Sequence, residues 1–453
     1  MEAPVPREAI EPADGSRRAE AARIARLAAP VVVAYLGTVA MGVVDTIMVG
    51  RLGAGALAAV ALANTWTFGL VIVALGAARA LDPIVAQAHG RGDRRTVGLG
   101  FSLGLAMGML LAPPVMVALA FAAPALSLLG QPQELLQPAG AYCRALIWGV
   151  PGLLGFAVCR QYMQALGRMR PGTGAVILAN FVNAGRNWGL IVGELGAPAL
   201  GALGSGYATA VSQWFMFGAM LWLGRDAVRG HWLGWRERLT WRSLGRVLGM
   251  GSSLGFQTGL EVWAFHAAGL MIGSLGAVPL AAHAIAMSLA TLSFMVPAGL
   301  SAAAATRVGH LVGAGFAWAR TARIAVGLGV GVMVLPALAF VLAPRLLVGV
   351  YTSDAGVVAL AATLLPLAGA YQLFDGTQVV AFGVLRGAGD VHVPSAANMI
   401  GYWLVGLPVG WLLGFRLDLG APGVWVGLVL SLAVIAVLLL ARIGWVLRRA
   451  RLL

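Results

Sequence analysis

Residues 254–276 read LGFQTGLEVWAFHAAGLMIGSLG, and this stretch decides how the rest of the chain is interpreted. It is long and apolar enough to cross a bilayer, whose hydrocarbon core is about 30 Å thick. Near its middle stands one carboxylate, Glu261, and an ionisable side chain at that depth costs roughly 2.5–3.5 kcal/mol on insertion scales. A second apolar segment, residues 371–386, contains Asp375. Two acids within apolar helices predict a site that takes up cations or protons.

The composition indicates an integral membrane protein. The chain has 453 residues, of which 60% are hydrophobic and 11% are charged, and a soluble protein of this length needs more charge on its surface. Apolar windows of about 20 residues recur along the chain, whereas the two-residue alternation of a membrane β-barrel does not occur. We therefore predict an all-α integral membrane fold.

Twelve transmembrane spans account for the apolar windows. All 31 basic residues are arginines, and 26 of them fall in the N-terminal tail, the even-to-odd connections and the C-terminus. Positive residues concentrate on the cytoplasmic side, so we expect both termini in the cytoplasm. Because the arginines are scattered between spans, no basic groove for nucleic acid is expected. The predicted spans are residues 28–50, 57–80, 96–122, 139–160, 173–193, 199–223, 248–272, 279–303, 321–342, 357–385, 395–414 and 421–442.

An internal duplication predicts two lobes of six helices. GRLGAGALAAVAL from Gly50 recurs as GSLGAVPLAAHAI from Gly273, and GAPALG from Gly196 recurs as GAPGVW from Gly420. Six spans return the chain to the same side, so a pseudo-twofold axis along the membrane normal should relate the lobes. The arginine- and tryptophan-rich linker between them suits an amphipathic interfacial helix. The predicted organisation is a cytoplasmic tail (1–27), an N-lobe (28–223), a cytoplasmic linker (224–247), a C-lobe (248–442) and a cytoplasmic tail (443–453).

Several long motifs resemble those of the MATE (multidrug and toxic compound extrusion) family, in its NorM-like branch. The resemblance extends from about residue 27 to residue 440. It implies an antiporter of the bacterial inner membrane that expels cationic or amphiphilic organic compounds in exchange for Na⁺ or H⁺ by alternating access of the two lobes. We expect a monomer surrounded by lipid. The motifs are MGVVDTIMVGRLGAGALAAV (41–60), PIVAQAHGRGD (83–93), RQYMQALGRMRP (160–171), GLEVWAF (259–265), HAIAMSLATLSFMVPAGLSAAAATRVGHLVG (283–313) and FDGTQVVAFGVLRGAGD (374–390).

The resemblance also assigns roles to individual residues. Glu261 and Asp375 fall on the coupling-cation carboxylates of the C-lobe, and Asp45 falls on the acid of the N-lobe. Asn183 and Asn187 fall on the asparagines of span five. The further candidates for the substrate cavity are Asn180, Arg186, Gln257, His283 and Tyr371.

The depths of the two C-lobe acids allow them to meet. At about 1.5 Å rise per residue, Glu261 and Asp375 lie roughly 15–20 Å from the cytoplasmic side on their own helices. Two close carboxylates cannot both stay ionised without a counter-charge, so either one of them takes up a proton or the pair binds a cation. Oxygen ligands favour a hard cation such as Na⁺, and the sequence leaves Na⁺ and H⁺ open. No other cofactor is expected.

Four residues depart from the pattern of the family or add a charge near the site. Arg186 stands between the two asparagines of span five, and we hypothesise that it pairs with Asp45; the alternative is contact with an anionic substrate. Arg79 and Asp82 are three residues apart, which on one helix permits an ion pair. His266, five residues after Glu261, is either a packing side chain or a modulator of the cation site.

Other functions are weighed against antiport. A flippase for lipid-linked substrates of the wider superfamily would need several arginines within spans, and only Arg186 lies deep. An intramembrane enzyme would show clustered catalytic residues in its connections, and no HExxH or phosphate-binding glycine loop occurs. We therefore expect a transporter and no enzyme.

Overall fold

The computed structural model describes residues 16–193, 200–229 and 240–449, and all regular structure in these ranges is helical. This confirms the all-α prediction. The helices of the first half are α1 (Arg17–Gly50), α2 (Ala54–Ala78), α3 (Leu81–Gly90), α4 (Arg94–Ala120), α5 (Ala122–Leu128), α6 (Gln133–Ile147), α7 (Val150–Ala165), α8 (Arg170–Val192), α9 (Ala202–Leu223) and α10 (Arg225–Arg229).

The second half contains long helices and one span of mixed helix type. In that span, two π-helical segments interrupt the α-helix. The elements are α11 (Trp241–Gly273), α12 (Ala277–Ala314), α13 (Ala319–Leu342), α14 (Pro344–Gly349), α15 (Ala355–Gly387), α16 (His392–Met399), π1 (Ile400–Gly406), α17 (Leu407–Trp411), π2 (Leu412–Arg416) and α18 (Gly420–Arg449).

Each predicted span coincides with a described helix, a pair of helices or, for span eleven, the run α16 to π2. Eight described helices or helix runs are by themselves long and apolar enough to cross a membrane. Span four consists of α6 and α7, which are bent by 53° at their junction. Pro151 lies in the first turn of α7, where its missing N–H costs no hydrogen bond. The proline therefore helps to fix the bend.

Helix α1 begins at Arg17, inside the segment predicted as a tail. The side chain of Ser16 caps it, since Ala19 N–H donates to Ser16 Oγ at 3.1 Å. Residues 1–15 of the predicted N-terminal tail, 230–239 of the predicted linker and 450–453 of the C-terminal tail lie outside the described residues. The interfacial helix expected in the linker falls largely on that second gap, and α10 and the start of α11 border it.

Contacts divide the chain into two compact units. The N-unit comprises residues 33–89 and 93–259, and the C-unit comprises the residues up to Val32, Gly90–Gly92 and those from Leu260 onward. Helices α1 and α11 each pass from one unit to the other, α1 after Val32 and α11 after Gly259.

Small residues allow close helix packing within the C-unit. A Cβ added at Gly383 of α15 would lie 2.4 Å from the carbonyl oxygen of Ser301, and one at Gly387 would lie 2.3 Å from that of Ala305. Both carbonyls belong to α12, so α15 is held against α12 at backbone distance. This packing fixes the helix that carries Asp375.

The N-unit has an apolar core in which both cysteines of the chain take part. Cys143 on α6 and Cys159 on α7 are fully buried and are free thiols. Cys143 belongs to a cluster with Tyr142 and Leu154, and Cys159 to a second cluster with Tyr162. The two cysteines therefore serve as small apolar core residues.

Candidate functional site

The first candidate site lies in the C-unit, where α11 and α15 bring two carboxylates together. The side-chain amide nitrogen of Gln378 lies 3.5 Å from Glu261 Oε1 and 3.4 Å from Asp375 Oδ1. One nitrogen therefore reaches both acids, which places the carboxylates a few ångströms apart. Gln378 lies three residues after Asp375 on α15, so both side chains point from the same helix face. The predicted meeting of Glu261 and Asp375 is observed.

Aromatic side chains enclose these acids. Tyr402 of π1 donates its hydroxyl hydrogen to Glu261 Oε1 at 3.3 Å. Phe265, one turn after Glu261 on α11, meets the Tyr402 ring at 5.3 Å and the Tyr371 ring at 6.3 Å between centroids, both edge-to-face. Asp375, Tyr371 and Tyr402 are each at most 3% exposed. Asp375 is therefore shielded from water, and Glu261 is half-buried beside the same rings.

This arrangement can bind and release a positive charge. A buried carboxylate beside a half-buried one needs a counter-charge, a shared proton or a bound cation if both are to coexist. The Gln378 amide offers partial positive charge to both of them, and the Tyr402 hydroxyl does so for Glu261. The carboxylate, hydroxyl and amide oxygens are of the hard type that suits Na⁺. Among the described residues, no group of three or more His, Cys, Asp or Glu side chains could hold a metal ion.

The other predicted residues of this region, His283, Gln257 and His266, lie on α12 and α11. His283 of α12 is buried and meets the ring of Trp425, which in turn meets the Tyr371 ring at 5.9 Å. Gln257 is buried on α11 and accepts a hydrogen bond from Thr258 at 3.4 Å. His266 is exposed on α11, so it is not a packing side chain.

The second candidate site lies in the N-unit around Asp45 of α1. Asn187 of α8 donates its side-chain amide to Asp45 Oδ1, and Thr209 of α9 donates its hydroxyl to Oδ2 at 3.4 Å. Asn187 also donates to Asn183 Oδ1 at 3.1 Å. Asp45 is 8% exposed, and both asparagines are fully buried. Three helices thus supply a neutral polar cage for one acid.

The hypothesised ion pair between Asp45 and Arg186 does not form in the described structure. Asn183 and Asn187 are four residues apart and share the face of α8 that meets Asp45, whereas Arg186 is turned by about 100° from Asn187. The Arg186 side chain is exposed. The carboxylate of Asp45 is therefore satisfied by amide and hydroxyl donors instead of a guanidinium.

Two further polar predictions have different outcomes. Asn180, a cavity candidate, donates its side-chain amide to the backbone oxygens of Gly37 at 3.0 Å and Val176 at 2.9 Å, which ties α8 to α1. The predicted pair of Arg79 and Asp82 is absent from the described contacts.

The helix is interrupted between Arg79 and Asp82, at Arg79–Ala80. The two residues therefore do not lie three positions apart on one continuous helix. Asp82 is instead buried and accepts a hydrogen bond from the Gln161 amide at 2.8 Å. The prediction of the ion pair is therefore wrong.

Sequence reasoning missed three residues that touch the acids. Gln378 could have been found, because it follows Asp375 by three residues on a predicted helix. Tyr402 and Thr209 could not, because each lies more than one hundred residues from the acid it contacts, and the sequence does not give the packing of the helices that bring them together.

The fold and the two buried acid sites define a class of membrane transporter. The MatE family model matches residues 30–189 and 254–412, one block in each half of the chain. The chain belongs to the MatE family, as its motifs predicted. The two blocks also agree with the predicted duplication.

Curated relatives support the same assignment along nearly the full length. The multidrug resistance protein NorM of Burkholderia vietnamiensis is 39% identical over 425 residues, which cover 92% of this chain and 92% of that protein. The multidrug resistance protein PmpM of Pseudomonas aeruginosa is 34% identical, with 95% of this chain and 93% of that protein covered. This chain is thus similar to proteins of bacterial multidrug resistance.

Solved structures agree on the fold. The eukaryotic MATE transporter AtDTX14 superimposes with a TM-score of 0.84 at 24% identity and covers 96% of this chain and 99% of its own. The Vibrio cholerae MATE transporter VcmN in its bent form gives 0.83 at 18% identity, with 96% and 99% covered. The predicted fold of twelve transmembrane helices is therefore confirmed by these structures. The apolar helices of the described residues agree with an integral membrane protein.

Proposed function

We propose that this protein is a secondary active efflux transporter of a bacterial inner membrane. It exchanges cationic or amphiphilic organic compounds for Na⁺ or H⁺ by alternating access, works as a monomer and has both termini in the cytoplasm. The naming of its relatives as multidrug resistance proteins supports the substrate class. The alternative function, a flippase for lipid-linked substrates, would need several arginines within the spans. Arg186 is the one arginine that the sequence predicts deep within a span, so the residues do not support this alternative.

The observation that carries the proposal is the pair Glu261 and Asp375, joined through the Gln378 amide. A transporter that uses an ion gradient needs a group that is charged in one state and neutralised in another. The close pair meets that need, because uptake of a proton or Na⁺ removes the repulsion between its two carboxylates. Asp45, held by neutral donors, is a second acid that substrate or ion could neutralise.

The test is transport in proteoliposomes under an imposed Na⁺ gradient and, separately, an imposed pH gradient. The probe is ethidium, a fluorescent organic cation. Glu261→Gln and Asp375→Asn keep the size of each side chain and remove its charge, and we expect each to abolish gradient-driven efflux. Asp226→Asn is the matched control, because Asp226 is an exposed acid on α10. Efflux at the parent rate in both site variants would refute the carboxylate mechanism.

A further inference from the structure

The π-helical segment π1 contacts two consecutive residues of α11. Tyr402 donates its hydroxyl hydrogen to Glu261 Oε1 at 3.3 Å, and Trp403 donates its indole N–H to the backbone oxygen of Leu260 at 3.0 Å. One contact holds the carboxylate and the other holds the backbone immediately before it. Segment π1 therefore contacts both the side chain of Glu261 and the main chain next to it.

The helix type at this place is unusual. A π-helix bonds each N–H to the carbonyl five residues back, is rare, and occurs mostly as short segments at functional sites. Segment π1 spans Ile400–Gly406, so Tyr402 and Trp403 both lie inside it. The wider turn changes the directions in which side chains leave the helix, which is how two neighbours can face the same stretch of α11.

Helix α18 fixes π1 from the other side. A Cβ added at Gly401 would lie 3.0 Å from the backbone oxygen of Ser431, and one at Gly406 would lie 2.7 Å from the Ser431 Cβ. A Cβ added at Gly427 would lie 2.5 Å from the backbone oxygen of Gly406. Packing at this distance leaves π1 no room to shift towards α18, so the position of Tyr402 is determined by backbone contacts.

The surroundings of Tyr402 give its hydroxyl a clear role. The side chain is 1% exposed, and the described titratable groups near Glu261 include Asp375 and Tyr371 from α15, besides Tyr402 itself from π1. Helix α12 contributes His283 and α18 contributes Trp425, and these two meet on the far side of the Tyr371 ring. The hydroxyl of Tyr402 is thus a neutral donor within a group of acids.

We infer that Tyr402, presented by π1, is a positioning residue that sets the ion affinity of Glu261. This inference rests on the proposed coupling role of that carboxylate. When Glu261 is ionised, its oxygen accepts the hydroxyl hydrogen; when Na⁺ is bound, the hydroxyl oxygen can serve as one of its ligands. The hydroxyl acts on the ion site and touches no organic substrate in this account.

The experiment uses Tyr402→Phe in the full-length protein, reconstituted in proteoliposomes with ethidium as the probe. The concentration of driving ion that gives the half-maximal rate is measured for Na⁺ and for H⁺. A hydrogen bond to a charged group is worth enough to change an affinity roughly tenfold. For the ion that drives the parent, we expect the half-saturating concentration to change by about that factor. The maximal rate at saturating ion should stay within about twofold of the parent. Tyr351→Phe is the matched control, since Tyr351 is an exposed tyrosine on the loop after α14.

The outcomes separate this inference from the proposed function. If the parent itself shows no gradient-driven efflux, the proposed function fails. If the parent is coupled and Tyr402→Phe has an unchanged half-saturating ion concentration, the inference alone is overturned, even when the variant melts at a lower temperature. Should Tyr402→Phe fail to reconstitute, Tyr402→Met removes the same hydroxyl, and an unchanged half-saturation in that variant overturns the inference equally.

Discussion

Glu20 and Arg307 form a buried ion pair in the C-unit, although 287 residues separate them in the sequence. Arg307 Nε donates to Oε1 at 2.9 Å and its terminal nitrogen donates to Oε2 at 3.1 Å, so the contact is bidentate. Thr321 at the start of α13 donates to Oε1 at 2.7 Å, and Arg23 lies 3.2 Å from Oε2. The pair ties the first turn of α1 to α12 and α13.

Removal of the Glu20 charge should destabilise the protein strongly. Glu20→Gln leaves the guanidinium of Arg307 buried without its counter-charge, and breaking a buried pair in this way costs about 3–5 kcal/mol. Thermal unfolding in detergent, followed by fluorescence-detected size exclusion, measures the effect. Glu134→Gln is the matched control because Glu134 is an exposed acid in the first turn of α6. Equal melting temperatures for the two variants would contradict the assigned role of the pair.

The same pair predicts how stability depends on pH. Glu20 lies before the predicted start of span one at residue 28. Burial raises the pKa of Glu20, but hydrogen bonds from Arg307 and Thr321 and the charge of Arg307 outweigh it, so the pKa lies below its ordinary value of 4.5. A carboxyl group with a lowered pKa in the folded state contributes stability that is present above the ordinary pKa and lost as pH falls through the folded pKa.

The measurement is the melting temperature of the parent and of Glu20→Gln as pH is lowered from 6 to 3. We expect the difference between the two proteins to be largest near pH 6 and to shrink below about pH 4.5. A difference that stays constant over the whole range would show that the Glu20 carboxylate is not held ionised by its neighbours.

The close packing of π1 and α17 against α18 predicts a steric effect at one glycine. An added Cβ at Gly427 would lie 2.5 Å from both the Gly406 oxygen and the Gly410 Cα, which are backbone atoms with little freedom to move. Gly427→Ala should therefore destabilise the protein by about 1–3 kcal/mol or more.

Gly444→Ala is the control for this prediction, because the same helix α18 offers nothing within 4 Å of an added Cβ there. Alanine has the better helix propensity, so this variant should be neutral or stabilised by about 0.5–1 kcal/mol. If both alanine variants melt at the same temperature, the packing around Gly427 is looser than described.

The polar cage around Asp45 predicts that Asn187, and not Arg186, contributes to the stability of the protein. Asn187→Ala removes a buried donor to the carboxylate and should cost about 1–3 kcal/mol of stability. Arg186→Ala, at the adjacent residue, should leave stability within about 0.5 kcal/mol of the parent, since its side chain is exposed and does not pair with Asp45. A larger loss in Arg186→Ala than in Asn187→Ala would restore the ion-pair hypothesis.

Much of the fold could be predicted because hydrophobic length and arginine position are strong signals in a membrane protein. The residues that share a helix face, such as Asp375 and Gln378, follow from local spacing. Contacts between distant helices do not follow from local spacing, and Tyr402 is the clearest case. The local sequence predicts neither the π-helical segment nor the contact between Tyr402 and Glu261. The prediction for Arg186 failed for a related reason. Its charge suggested an ion pair with Asp45, but the neighbouring Asn187 already donates a hydrogen bond to that carboxylate.

The local error at Arg79 and Asp82 has a different origin. Spacing by three residues predicts an ion pair only if the helix is continuous, and the helix is interrupted at Arg79–Ala80. Pro83 signals that break, because it has no backbone N–H to bond the carbonyl of Arg79 four residues earlier, so the sequence did give a warning of it.

The buried state of Cys143 and Cys159 makes this chain convenient for spectroscopy. A thiol enclosed in an apolar core is shielded from maleimide and methanethiosulfonate reagents, so the wild-type background needs no cysteine removal before a reporter is attached. A single cysteine introduced at an exposed position would then carry a fluorophore or nitroxide on its own. Distances between two such reporters could follow the transport cycle in the otherwise unaltered protein.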